Sequence, residues 1–159
     1  MPKATGTQPF FARIEARAYS RATEIPERVK QALLNLFPED VHERVRIEQV
    51  EARGHLLNPI IVFSALLKHV VSCTKTVSFL FEQLPETDRT LIYDSLEDRI
   101  DEDCSLFLRF DKQAAFLGTV ALAEVPDVVL IRVLVHRYPR CSVEEAETLI
   151  RSCLEPSRG

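Results

Sequence analysis

Apolar and polar residues alternate over positions 11–20, where Ala12, Ile14, Ala16 and Ala18 oppose Arg13, Glu15, Arg17 and Tyr19. A period of two predicts a strand with one buried and one open face. The spacing then turns helical, with Val29, Leu33, Leu36 and Phe37 as the buried stripe. Thr23 or Glu24 is placed to cap this helix, Pro26 lies in its first turn, and Pro38 ends it. Val45, Ile47 and Gln49 alternate with Arg44, Arg46 and Glu48 before Val50 and Ala52 take the opposite phase, which predicts a bulge ahead of Gly54. After the turn signal Asn58-Pro59, residues 60–68 are β-rich and pair antiparallel with the preceding strand. Apolar residues on both faces predict a central, covered position.

Residues 72–84 and 87–100 repeat Val77, Leu80, Phe81 and Leu84, then Leu91, Ile92, Leu96 and Ile100, at steps of three and four. Pro85 interrupts them and Thr87 can cap afresh, so one kinked helix or two short ones both fit. Strands follow at 105–110 and 128–136, and Ser142-x-x-Glu145 is a capping box that opens a helix to about Cys153. The order β-α-β-β-α-β-β plus a C-terminal helix needs few parallel crossovers. It predicts an α+β fold, a mostly antiparallel sheet with helices on one face and the other face open. Residues 1–9 read as a disordered lead-in, 10–139 as one domain, and 140–159 as the terminal helix and tail.

With 159 residues, 46% of them hydrophobic, the chain can build one real core. No apolar run is long enough to span a membrane, and the first residues lack the apolar stretch of a signal peptide. A cytoplasmic location is expected. The net charge of −4 hides an asymmetry: residues 1–75 hold 11 Lys/Arg against 8 Asp/Glu, residues 76–159 hold 9 against 16. Much of the acid lies between Glu82 and Asp103, so the total is a poor guide to partners. Cys73, Cys104, Cys141 and Cys153 show no paired-ligand spacing, and His42, His69 and His136 are scattered. No cofactor or metal is expected, and no nucleotide-binding or hydrolase motif occurs.

The candidate chemistry is cationic. Arg13, Arg17 and Tyr19 should project from one side of the first strand, with Arg109 and Arg132 from the fourth and fifth, positions suited to phosphate contact and base stacking. Arg13, Arg17, Arg21 and Arg53 could form one phosphate patch, although Glu15, Glu48 and Glu51 are placed to neutralise it. Asp111, Lys112 and Gln113 stand where the fourth strand's alternation stops. One reading has Lys112 on phosphate, oriented by Asp111, and Gln113 on a base edge or 2′-hydroxyl; the other has Asp111 accepting backbone N–H groups in a turn. The segment 114–118 could be a helical turn or an extended edge, and could serve as a dimer contact. His55 could stack on a base, while Asn58 suits the turn. The cluster Glu97, Asp98, Asp101, Glu102, Asp103 invites a metal-dependent nuclease reading, against which stands the usual solvated role of acids at a helix end.

Four stretches carry a resemblance: L-F-L-R-F-D-K-Q-A-A-F-L-G at 106–118, R-G-H-L-L-N-P-I at 53–60, R-A-T-E at 21–24 and L-E-D-R-I-D-E at 96–102. Over roughly residues 10 to 136 the chain resembles the archaeal RNA-binding domain family described as a predicted exosome subunit. The resemblance implies a fold related to the ribosomal protein that binds 5S RNA, a non-catalytic RNA-binding role in RNA processing or decay, and a tendency to form homodimers. Partners would be RNA and exosome- or ribosome-related proteins. The alternative is a protein-interaction or dimerisation module whose acidic helix meets a basic partner without RNA.

Overall fold

The computed structural model describes residues 8–53 and 58–155. Five strands, β1 (Phe10–Ser20), β2 (Arg46–Arg53), β3 (Pro59–Leu67), β4 (Ser105–Asp111) and β5 (Val128–His136), form one sheet in the order β2-β3-β1-β5-β4. Every neighbouring pair is antiparallel. Helices α1 (Pro26–Leu34), α2 (Val70–Gln83), α3 (Glu86–Asp94), α4 (Leu96–Arg99), α5 (Lys112–Phe116) and α6 (Val143–Leu154) complete the α+β fold. Helices α1 and α2 pack on β1, and α6 packs on α2 and α3, which stacks this helical cover on one face of the sheet.

The period-two pattern decides which face is covered. Ile14, Ala16 and Ala18 of β1 share a side with Phe63, Ala65 and Leu67, with Leu106, Leu108 and Phe110, and with Val129, Ile131, Val133 and Val135; all are buried. Three of these are alanines, which let the helix backbones approach the centre of the sheet. Val29, Leu33, Val77, Leu80, Phe81, Ile92, Leu96, Ala146 and Ile150 fill the helical side of the same core. The Ser142–Glu145 capping box is formed, with Glu145 N donating to Ser142 Oγ at 3.2 Å and Ser142 N to Glu145 Oε1 at 3.3 Å.

Several local expectations are corrected. The bulge lies in β1 and not in β2: Phe11 pairs with Val135 and Arg13 with Leu134, which leaves Ala12 as the extra residue and puts Phe11 in the core. The phase change in β2 has another cause. Its ladder with β3 is unbroken from Arg46 to Arg53, but beyond Ile47 the strand is exposed on both sides because no helix covers this edge. Strand β3 is internal, yet covered on one face only, since Ile60, Val62 and Leu66 stay half-buried on the other. Neither Thr23 nor Glu24 caps α1, whose N-cap is Ile25 with no side-chain bond. Thr87 lies inside α3, which starts after Pro85, and Leu91 faces solvent. Residues 112–116 are helical, and Gly118 takes φ +86°, where its N–H donates to Ala115 O at 3.0 Å. A side chain there would meet open space, so it is the backbone conformation that favours glycine.

The two sheet edges differ. Backbone bonds from Ala123 N to Arg109 O (2.9 Å) and Asp111 N to Ala121 O (2.9 Å) lay residues 121–123 along the outer side of β4. The outer side of β2 has no backbone partner among the described residues.

Candidate nucleic-acid interface

On the uncovered face, side chains line up in rows across the strands. One row runs Arg46, Leu66, Glu15, Arg132, Phe107 from β2 to β4; the next runs Glu48, Ser64, Arg17, Leu130, Arg109. Beyond them, Val50, Val62 and Tyr19 form a third row towards one end, and Phe10 opposite His136 closes the other. The first two rows, Arg109 excepted, line a shallow groove of about 460 Å³, and Arg17, Tyr19, Arg21, Arg109 and Asp127 line a second hollow of about 260 Å³ beside it.

Charge on this face is only partly neutralised. Glu15 lies 3.6 Å from Arg132 and 3.3 Å from Arg13 Nε; the latter contact does not make a hydrogen bond and acts through charge alone. Arg132 also donates to Ser105 Oγ at 3.0 Å and sits 5.8 Å from the centre of the Phe107 ring. Arg17, Arg46 and Arg109 are exposed and form no ion pair among the described residues. Arg17 and Arg109 stand two strand spacings apart, about 10 Å, in one row. This arrangement offers exposed guanidinium groups to an extended polyanion, with half-buried apolar surface between them.

The corner at Asp111 to Gln113 is built differently. Lys112 is 3% exposed, and its ammonium is held by Glu24 Oε2 (2.8 Å), Asp127 Oδ1 (2.7 Å) and Tyr19 O (2.8 Å). It is therefore not the phosphate contact that the sequence suggested. All three donor directions of the ammonium are used inside the fold, and the side chain ties the end of β1 and the start of α1 to β5. Asp111 does not orient it; its carboxylate caps α5 by accepting from Ala114 N at 2.8 Å. Gln113 is exposed and donates to Asp127 Oδ2 at 3.4 Å. Burial pushes the Asp127 carboxyl up, but the hydrogen bond and charge of Lys112, with Gln113 and Arg21 behind it, outweigh this and hold it below its usual value.

The remaining candidates divide. Arg21 is exposed at the rim beside Asp127. Arg53 does not join the patch: it pairs with Pro59 on the side of β2 that carries Ile47, Gln49 and Glu51, opposite to Arg46. Glu51 shares that opposite side and neutralises nothing on the open face. His55 lies outside the described residues. In the acidic segment, Asp101 closes the turn into β4 by accepting from Asp103 N (2.9 Å) and Ser105 N (3.0 Å), and no three metal-ligating side chains converge among the described residues. All four cysteines are free, with Cys73 and Cys104 buried.

Arg46 and Phe107 are the positions that sequence reasoning missed. The signal was parity: Phe107 shares the phase of Arg109 and opposes that of Leu106, Leu108 and Phe110, and Arg46 is in phase with Glu48.

The chain is similar to several known proteins. The RNA-binding protein PAB1135 of Pyrococcus abyssi is 38% identical over 127 residues, covering 79% of this chain and 82% of that protein. The solved structure of Mth689, a DUF54 protein from Methanothermobacter thermautotrophicus, is 31% identical with a TM-score of 0.75, covering 92% of this chain and 99% of that one. SSO0741 of Sulfolobus solfataricus, at 21% identity and a TM-score of 0.68 over 88% of this chain and 98% of that one, shares the fold. A family model described as RNA binding matches residues 13–135, which contain the whole sheet except its outermost ends, and the chain belongs to that RNA-binding family.

Proposed function

We propose that this protein binds RNA on the open face of its sheet, with Arg17, Arg46 and Arg109 meeting phosphates and Arg21 and Gln113 extending the contact at the rim. The observation that carries the reading is the uncovered face of a family member on which three exposed arginines have no acidic partner among the described residues. The overall charge does not oppose it, because the acids of residues 82–103 belong to the helical side and the turn into β4. Binding is non-catalytic in this reading, which predicts that RNA incubated with the protein and magnesium should be recovered intact, and cleavage would count against it.

The test is RNA affinity measured across a salt series. The apparent constant should fall with salt, and Arg17→Ala, Arg46→Ala and Arg109→Ala should each lower the log–log slope by about 1. Absence of salt-sensitive binding at micromolar protein, or unchanged slopes in all three variants, would overturn the reading.

The resemblance to a predicted exosome subunit supports a finer role, an accessory of RNA processing or decay that meets its substrate beside exosome- or ribosome-related proteins. A specific feature favours homodimers: the outer side of β2 has no backbone partner among the described residues and offers a ready edge for a second copy. Sedimentation at several concentrations checks this, and a monomer at all of them counts against it.

A further inference from the structure

Three aromatic rings gather at one end of the open face, outside the core. Phe10 faces His136 across the β1–β5 ladder, with ring centres 5.8 Å apart and nearly perpendicular. Tyr138 packs on both, 4.7 Å from His136 and 5.9 Å from Phe10, and remains 60% exposed. At the far end of the same face Tyr19 is 49% exposed, and between the two ends lies the Arg132 guanidinium over Phe107. Cations and flat π-surfaces therefore share one face along the length of β1.

The geometry points to single-stranded RNA as the ligand, with Phe10, His136 and Tyr138 forming a subsite on which an unpaired base stacks. This deepens the RNA-binding reading and rests on it. Phosphates of either a duplex or a single strand could meet Arg17, Arg46 and Arg109. A duplex keeps its bases stacked on one another and offers a protein mainly backbone, 2′-hydroxyls and groove edges, so aromatic rings on a sheet gain little from it. A single strand can turn bases onto such rings while its backbone follows the guanidinium groups. Phe10 and His136 alone make a cross-strand pair that steadies the sheet, whereas Tyr138 stands beyond the strand and is largely exposed.

The experiment compares a 12-nucleotide, end-labelled, mixed-sequence RNA with the same RNA annealed to its complement, each titrated with the full chain at fixed low salt. The single strand should bind about tenfold more tightly than the duplex, and Tyr138→Leu should lose about tenfold on the single strand while leaving the duplex unchanged. Tyr138→Phe should keep the wild-type affinity, because it keeps the ring. Equal or tighter binding of the duplex, or a Tyr138→Leu variant that binds the single strand normally, overturns the inference while the arginine variants still report on the open face. Binding of neither RNA removes both readings. Thermal melting of each variant confirms that an affinity loss is not unfolding.

Discussion

Lys112 and Arg17 are both cations near the same end of the sheet, and the fold uses them in opposite ways. Lys112 is enclosed and bonded to Glu24, Asp127 and the Tyr19 carbonyl; Arg17 is exposed and unpaired among the described residues. A cation with every donor satisfied inside the protein stabilises the fold and has nothing left for a ligand. A cation with none satisfied contributes little to stability and keeps its charge for a polyanion. The two are linked, since the Lys112 staple fixes the end of β1 from which Tyr19 and Arg21 reach the rim.

The sharpest way to break this contrast is Lys112→Met. It removes the cation and leaves two carboxylates facing one another, and should destabilise the protein by about 3 kcal/mol in denaturant titration. A change under about 0.5 kcal/mol would show that the staple is not structural. Asp127→Asn should cost less, about 1 kcal/mol, because the carboxylate is partly solvated. Its effect should depend on pH in a definite direction. Asp127 titrates lower in the folded chain than in the unfolded one, so its contribution is complete above the ordinary carboxylate value and is lost as pH falls through the folded value. The melting-temperature gap between wild type and Asp127→Asn should therefore be widest near neutral pH and close below about pH 4.

Arg17→Ala should move stability by less than about 0.5 kcal/mol while lowering the salt slope of RNA binding, the reverse of Lys112→Met. Loss of stability comparable to that of the lysine variant would erase the distinction. Arg53→Ala is the smallest effect expected. It lies on the other side of β2, and both its melting temperature and its salt slope should match wild type.

The architecture was legible because one face of a sheet is buried and the other is not, which stamps a period of two on β1, β4 and β5. The capping box at Ser142 was equally plain, since its chemistry is local. What the sequence hid depends on tertiary cover. In β2 the change of phase reflects the absence of a helix over an edge strand, and no local pattern separates that from a bulge. In β1 the real bulge at Ala12 was masked because alanine suits either face. Lys112 was misread for a different reason. It continues the parity of Leu106, Leu108 and Phe110, the buried side, and its partners Glu24 and Asp127 are distant in sequence or placed on a loop. Parity also distinguishes Arg46 from Arg53, seven residues apart on one strand and on opposite faces.

The most direct measurement is an amide and arginine side-chain NMR titration with single-stranded RNA, which reports binding position without any substitution. The account predicts shifts concentrated at Arg17, Tyr19, Arg46, Ser64, Phe107, Arg109, Leu130 and Arg132, and at Phe10, His136 and Tyr138, with α2, α3 and α6 silent. Shifts confined to those helices would contradict it.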